Sequence, residues 1–339
     1  VALYFFDAFS FLELKSYDSR MKFAGKFTKP SEEICLILLD QAETPLYHIE
    51  NEITNKYPQI EKHIEIADVR DKKRLRDIFE KYKIDIVFHA AAYKHVPIME
   101  RSPYEAASVN IIGTKNVADL SQEFGVEKFI MISTDKAVNP TNVIGAATAN
   151  TEIYTKQLDS QANNKTKFIT TRFGNVLGSN GSVIPLFKQQ ILKGGPLTVT
   201  HKDITRYFMT IPEASRLVLE AATMGQGGEI FLFDMGKPVK ILDLAERMIK
   251  LSGLKPYEDI DIVFSGLRSG EKLYEELLCE SENTLPTYHK KIFKAKHQEI
   301  DLDLVKTCVE KMQEILKQKS DKQDFEIVGN IKQLVKTFK

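Results

Sequence analysis

Residues 128–140 read KFIMISTDKAVNP, an apolar run that ends on a hydroxyl, a carboxyl and an amine. A short stretch with apolar side chains at consecutive positions is a strand covered on both faces, not one with a wet side. Similar runs lie before and after it: ICLILLD at 34–40, IEIAD at 64–68, DIVFHAA at 85–91 and FITTRF at 168–173. Between them KKRLRDIFEKY (72–82), YEAASVNIIGTKNVADLSQEFG (104–125) and ATANTEIYTKQLD (147–159) read as helices. Strands alternating with helices predict a doubly wound α/β fold with a parallel, Rossmann-like sheet. After residue 175 the pattern loosens into Gly, Pro and Asn turns, followed by helical stretches at 211–225, 243–253, 302–318 and 324–337. The expected division is a main domain over 1–175 and a smaller, discontinuous α/β lobe over 176–339 whose chain returns to the main sheet.

Composition narrows the function classes. The 339 residues carry 47 Lys+Arg against 47 Asp+Glu, a formal net charge of zero. A nucleic-acid partner is therefore not expected, because phosphate binding normally leaves a basic surplus. The three cysteines, Cys35, Cys279 and Cys308, are odd in number and far apart, so they predict neither a disulfide framework nor a zinc site, and no metal is expected. A reducing cytoplasm fits them best. No apolar run approaches the roughly 18 residues of a membrane span, and VALYFF at the start is too short for one. The chain opens on Val1 rather than Met, as a fragment of a longer chain does.

In open α/β sheets the ligand lies at the carboxyl ends of the strands. Asp40 closes the first run, where a dinucleotide fold places an acid for the adenosine ribose and where a helix-capping Asp is equally at home. Asp68 and Val69 follow the next and are placed to hold an adenine edge. Ala90 and Ala91 follow the third, with side chains small enough to let a cofactor reach the backbone; tight helix–strand packing is the alternative for all of these. Thr134, Asp135 and Lys136 close the fourth, offering general acid and general base roles within three residues.

Taken together, ICLILLDQAETPLY, IDIVFHAAAYKHVPIMERSPYEAASVNIIGTKNV, STDKAVNPTNVIGA, TTRFGNVLGSNGSVIP, ITRYFMTIPEA and GLRSGEKLYEELL resemble the capsular-polysaccharide-biosynthesis branch of the extended short-chain dehydrogenase/reductases. That branch consists mainly of UDP-N-acetylglucosamine 4,6-dehydratases and related epimerases, often cut from membrane-anchored chains. The resemblance implies NAD or NADP as cofactor, a UDP-sugar substrate, a homo-oligomer and a cytoplasmic location, including as the cytoplasmic domain of a membrane-anchored parent. It further implies Lys136 as the base at sugar C5, Asp135 as the acid that protonates the departing C6 hydroxyl, and Thr134 as a hydrogen-bond donor to the C4 oxygen. A lysine base needs a lowered pKa, so a closed pocket is expected around Lys136. Lys94 matches a position near the sugar. Asn175, Ser182 and Val183 match a segment beside the sugar diphosphate, Arg206 and Arg268 supply guanidinium groups for the phosphates, and Glu271 is placed for a ribose hydroxyl.

Two departures bear on the cofactor. The family's first strand leads into a glycine string that admits the cofactor pyrophosphate, and residues 1–33 contain none; counting back from ICLILLD places FLELKSYDSRM (11–21) on that loop, with Leu12, Lys15 and Asp18 at or beside the glycine positions. In VIGAATANTEIY, Ile144 takes the tyrosine slot and Thr148 the lysine slot of the superfamily's Tyr-x-x-x-Lys. The readings are therefore a UDP-N-acetylhexosamine 4,6-dehydratase-like protein, an NAD(P)-dependent epimerase, or a catalytically silent UDP-sugar-binding relative. His89 and His95 read as packing or polar-network residues, and the stripe Val305, Cys308, Met312, Ile315 reads as core or a subunit contact.

Overall fold

The computed structural model describes residues 2–5, 35–277, 284–296 and 301–338. Its centre is a nine-stranded sheet built from β1 (Ala2–Phe5), β2 (Cys35–Asp40), β3 (Glu61–Ile66), β4 (Ile86–His89), β5 (Lys128–Thr134) and β6 (Lys167–Phe173), extended by Ile230–Phe233, Ile292–Ala295 and Thr284–Pro286. From one edge the order is Thr284–Pro286, Ile292–Ala295, Ile230–Phe233, β6, β5, β4, β1, β2, β3. All pairings are parallel except the two that join Ile292–Ala295 to its neighbours. This is the predicted doubly wound α/β sheet.

The alternation of side chains along each strand feeds two cores. Val87, Phe129, Met131 and Phe168 face one side, where Leu75, Ile78 and Phe79 of helix Lys72–Lys81 and Tyr154 and Leu158 of helix Val143–Asp159 cover them. Ile86, Phe88, Ile130 and Ile169 face the other, under Ala214, Leu217, Val218 and Ala221 of helix Ile211–Met224. That double covering explains why the strands lack a polar face. Helix Leu302–Lys317 returns to the sheet: Val305, Cys308 and Val309 join the first core, and Met312 and Ile315 pack with Val143, Ile144 and Ala147. The stripe is core. Phe187, Leu197, Val199, Ile204, Ala245, Ile249 and Ile262 form a separate cluster from segments after residue 176.

Several expected boundaries shift. Helix Val143–Asp159 begins four residues earlier than its apolar pattern, because Asn142 accepts the Gly145 N–H at 2.8 Å and caps it there. The stretch read as one helix over 104–125 divides into Pro103–Ala106, a π-helical segment Ala107–Gly113 and Thr114–Glu123. Gly113, the last residue of the wide turn, lies close against Val69, where a Cβ would meet Cγ2 at 2.5 Å. Strand β1 holds the central place between β4 and β2, Phe5 pairing with His89 and Leu39. The first strand thus stands ahead of the loop inferred by offset at 11–21. That loop, with Leu12, Lys15 and Asp18, lies outside the described residues, as does Cys279; in sequence no glycine follows β1 until Gly25. No helix among the described residues is long and apolar enough to cross a membrane.

Candidate functional site

Strand β5 delivers Thr134, Asp135 and Lys136 to the carboxyl edge of the sheet, where the chain tightens into a 3-10 turn over Asp135–Ala137. Asp135 is fully buried; its Oδ1 accepts from Thr134 Oγ1 at 2.9 Å and from Lys136 Nζ at 3.0 Å. Among the described residues its other oxygen, Oδ2, has no hydrogen-bond donor, and it is buried. A Cβ added at Gly174 would stand 3.0 Å from that oxygen, so the glycine leaves it room. The turn is pressed onto helix Val143–Asp159: a Cβ on Gly145 would meet the Lys136 carbonyl oxygen at 2.1 Å. Glycine is required there by close approach, not by its dihedral freedom.

A second segment completes the cluster from far along the chain. The Gly270 carbonyl accepts from Thr141 Oγ1 at 3.0 Å and from Asn142 Nδ2 at 3.1 Å, and Lys272 Nζ donates to the Val138 carbonyl at 2.8 Å. These bonds dock the loop 266–277 against the turn that follows β5. Docking carries Glu275, whose side chain is 4% exposed, to 3.7 Å from Lys136 Nζ and 3.7 Å from Arg206 Nε. Glu275 Oε2 is likewise buried without a partner among the described residues. Sequence reasoning missed Glu275; its signal was the second acid of GEKLYEELL, indistinguishable in sequence from a solvated helix face.

Arg206 is held in place before any ligand arrives. Its Nη1 donates to the Thr205 carbonyl at 2.7 Å and its Nη2 lies 3.4 Å from Glu271 Oε1. Glu271 also accepts from Thr200 Oγ1 at 3.2 Å and from the Arg268 N–H at 3.1 Å. Its carboxylate therefore orients Arg206 and the Arg268 backbone rather than standing open for a ribose hydroxyl. The Arg268 side chain is exposed.

Electrostatics reverse one expectation. Burial pulls the Lys136 pKa down, but the adjoining carboxylates of Asp135 and Glu275 outweigh it, and the net shift is upward. The resting lysine is an ammonium in an ion pair, not the free amine that a lowered pKa provides.

The other expected residues fall into three groups. Ser182 and Val183 begin helix Val183–Leu192, and the Ser182 hydroxyl is buried at that N-terminus without a partner among the described residues. Asn175 donates from Nδ2 to the Tyr207 carbonyl at 3.2 Å, clamping the short strands Asn175–Val176 and Phe208–Met209. Lys94 is exposed on a loop braced by buried Asn110, which bonds both the N–H and the carbonyl of Tyr93 at 2.8 and 3.0 Å. His95, next to Lys94, packs on the Gly181 turn, where a Cβ would meet its ring at 2.6 Å. The Lys94 loop and the Ser182 helix end are thus neighbours.

The residues expected around the cofactor are largely engaged within the protein. Asp40 Oδ1 accepts the Ala42 N–H at 2.7 Å, and Asp68 is chelated by Arg70, Nη2 to Oδ2 at 2.6 Å. Val69 is core, while Ala90 and Ala91 remain partly exposed at the end of β4. Ile144 is 4% exposed and Thr148 8%, and the Thr148 hydroxyl donates back to the Ile144 carbonyl at 2.9 Å. His89 is a network residue: its Nε2 lies 2.8 Å from Thr114 Oγ1, and burial pushes its pKa down to about 3.

The comparisons with known proteins agree with this architecture. The family described as "Polysaccharide biosynthesis protein" matches residues 23–297. The chain is 56% identical over 262 residues to a capsular polysaccharide biosynthesis protein CapD of Staphylococcus aureus, covering 77% of this chain and 43% of that relative. It is 40% identical over 222 residues to a UDP-N-acetylglucosamine 4,6-dehydratase (inverting) of Campylobacter jejuni, covering 65% of this chain and 63% of that one. The chain thus spans less than two thirds of either. In fold it is similar to the dTDP-glucose 4,6-dehydratase DesIV of Streptomyces venezuelae, solved with NAD bound, at TM-score 0.66 and 20% identity over 82% of this chain and 88% of that one. With a match across most of its length, this chain belongs to the polysaccharide biosynthesis protein family.

Proposed function

We propose that the chain is a UDP-N-acetylhexosamine 4,6-dehydratase-like protein of surface polysaccharide biosynthesis. The observation that carries the reading is the direct contact of Lys136 with Asp135 in a buried cluster at the sheet's carboxyl edge. Elimination across C5 and C6 needs an amine to take the C5 proton and a carboxylic acid to protonate the leaving oxygen. One proton moving along the 3.0 Å contact, from Nζ to Oδ1, converts the resting ion pair into that acid and that base together. Exclusion of water by a bound sugar favours the uncharged pair. Thr134, which donates to Asp135 in the resting state, lies beside the C4 oxygen in this reading. Arg206 releases Glu271 to meet the diphosphate, assisted by Arg268 and by the Ser182 helix end, with Lys94 and Asn175 at the rim of the sugar site. An epimerase shares the nucleotide contacts; inversion at C4 makes no use of the adjacent acid and base, and inversion at C5 uses the base without an acid to expel the C6 oxygen.

The reading requires a nicotinamide cofactor, NAD or NADP, as in the similar structure solved with NAD. The active-site helix does not fit one: at the slots where the superfamily has tyrosine and lysine, Ile144 is packed in an apolar cluster and Thr148 is bonded to its own helix. This favours a second reading, a UDP-sugar-binding relative without turnover. Incubation with UDP-N-acetylglucosamine and either cofactor separates the readings. A 4-keto-6-deoxy product supports the dehydratase, a C4 or C5 epimer the epimerase, and binding without product the silent relative.

A further inference from the structure

On the opposite edge of the sheet from the catalytic pair, the first residues of β2 and β3 bring together a thiol, a carboxylate and an imidazole. Cys35 pairs across the ladder with Glu61, and His63, two residues on, lies on the same face as Glu61. One ligand atom from each of the three lies within 4.8 Å of the other two. Glu61 Oε1 is 3.0 Å from His63 Nε2, and the His63 ring leans on Tyr82 with centroids 4.9 Å apart, which fixes the imidazole plane. Cys35 is buried, yet it belongs to none of the apolar clusters of the described residues. A small hydrophobe would serve a purely apolar position as well.

We propose that Cys35, Glu61 and His63 bind a thiophilic divalent cation, zinc in the first instance. Thiolate, imidazole and carboxylate are the three donor types that zinc accepts in tetrahedral sites, at roughly 2.0 to 2.3 Å. Three such atoms around one ion sit closer together than the present spread, so binding draws the cluster in. Two cations on helix Lys72–Lys81 are engaged by another acid. Arg74 and Lys81 are both bonded to Glu65, at 2.5 and 2.8 Å. The site is far from the catalytic turn, and its occupancy is independent of whether the chain turns over a sugar nucleotide.

The experiment is titration of the metal-stripped full chain with Co2+, followed by competition with Zn2+. The expected result is one equivalent bound, with a thiolate-to-cobalt charge-transfer band that Zn2+ abolishes. Cys35→Ser removes the band, Cys308→Ser and Cys279→Ser leave it, and Glu61→Gln and His63→Gln each weaken binding at least tenfold. Absence of a stoichiometric band, or a band that survives Cys35→Ser in a variant with wild-type circular dichroism, overturns the proposal.

Discussion

The Lys136 ammonium lies 3.0 Å from the carboxylate of its chain neighbour Asp135, and the two share one proton's worth of chemistry. Adjacent residues seldom meet side chain to side chain, because an extended strand points them to opposite faces. The 3-10 turn at Asp135–Ala137 breaks that alternation and turns both groups to the same side.

Replacing Lys136 by Ala should abolish elimination while changing UDP affinity by less than about threefold, since the diphosphate contacts lie on other elements. Calorimetric titration with UDP, run beside a product assay, checks this. Parallel loss of both would show that the lysine holds the site together instead of acting on the sugar.

The pH profile should be flat across neutrality. The active form carries a single proton on the pair, so the rate falls only when that proton is lost at the alkaline end or a second is gained at the acid end. The upward shift of Lys136 moves the alkaline limb above the ordinary lysine range. Glu275→Gln withdraws one of the two carboxylates that raise it and should move that limb to lower pH. A rate that instead climbs with pH from neutrality would mean that the lysine must first lose its proton to solvent.

Beneath the site, Arg172 grips Glu152 with two nitrogens, at 3.1 and 2.7 Å, and Ser133 donates to the same carboxylate at 2.5 Å. Both charges are at least 95% buried. Glu152→Ala should destabilise the fold by about 3–5 kcal/mol, the usual cost of stripping one member from a buried ion pair. Denaturant unfolding measures it; a loss below about 1 kcal/mol would show that water reaches Arg172.

Titration with NAD+ and NADP+ should give dissociation constants in the millimolar range. Without the helix amine and the glycine cradle, two or more charge-assisted hydrogen bonds of about 1.5–3 kcal/mol each are missing. Micromolar binding of either cofactor would show that other residues replace Thr148 and the missing glycines.

The sheet was legible because buried parallel strands announce themselves as apolar runs, and β2 to β6 fall within three residues of their expected limits. Strand β1 was not, since ALYF is short and lacks the glycines that normally follow. The π-helical turn at Ala107–Gly113 has no period of its own in sequence and was absorbed into a single helix. The turn after β5 was readable as three chemically distinct residues after a strand. Its electrostatics were not: Glu275 reaches Lys136 only through bonds from Gly270 and Lys272 to residues some 130 positions earlier, and no local pattern encodes that docking.

Helix Leu302–Lys317 fills the same core as Val87 and Phe129. A ribosome that has released everything up to residue 300 has therefore delivered all nine strands and both halves of the Lys136–Glu275 cluster, yet the first face of the sheet still lacks Val305, Cys308 and Val309. Until those emerge, the nascent chain carries a greasy wound on its oldest surface, and it is at that moment that a chaperone has most reason to hold it.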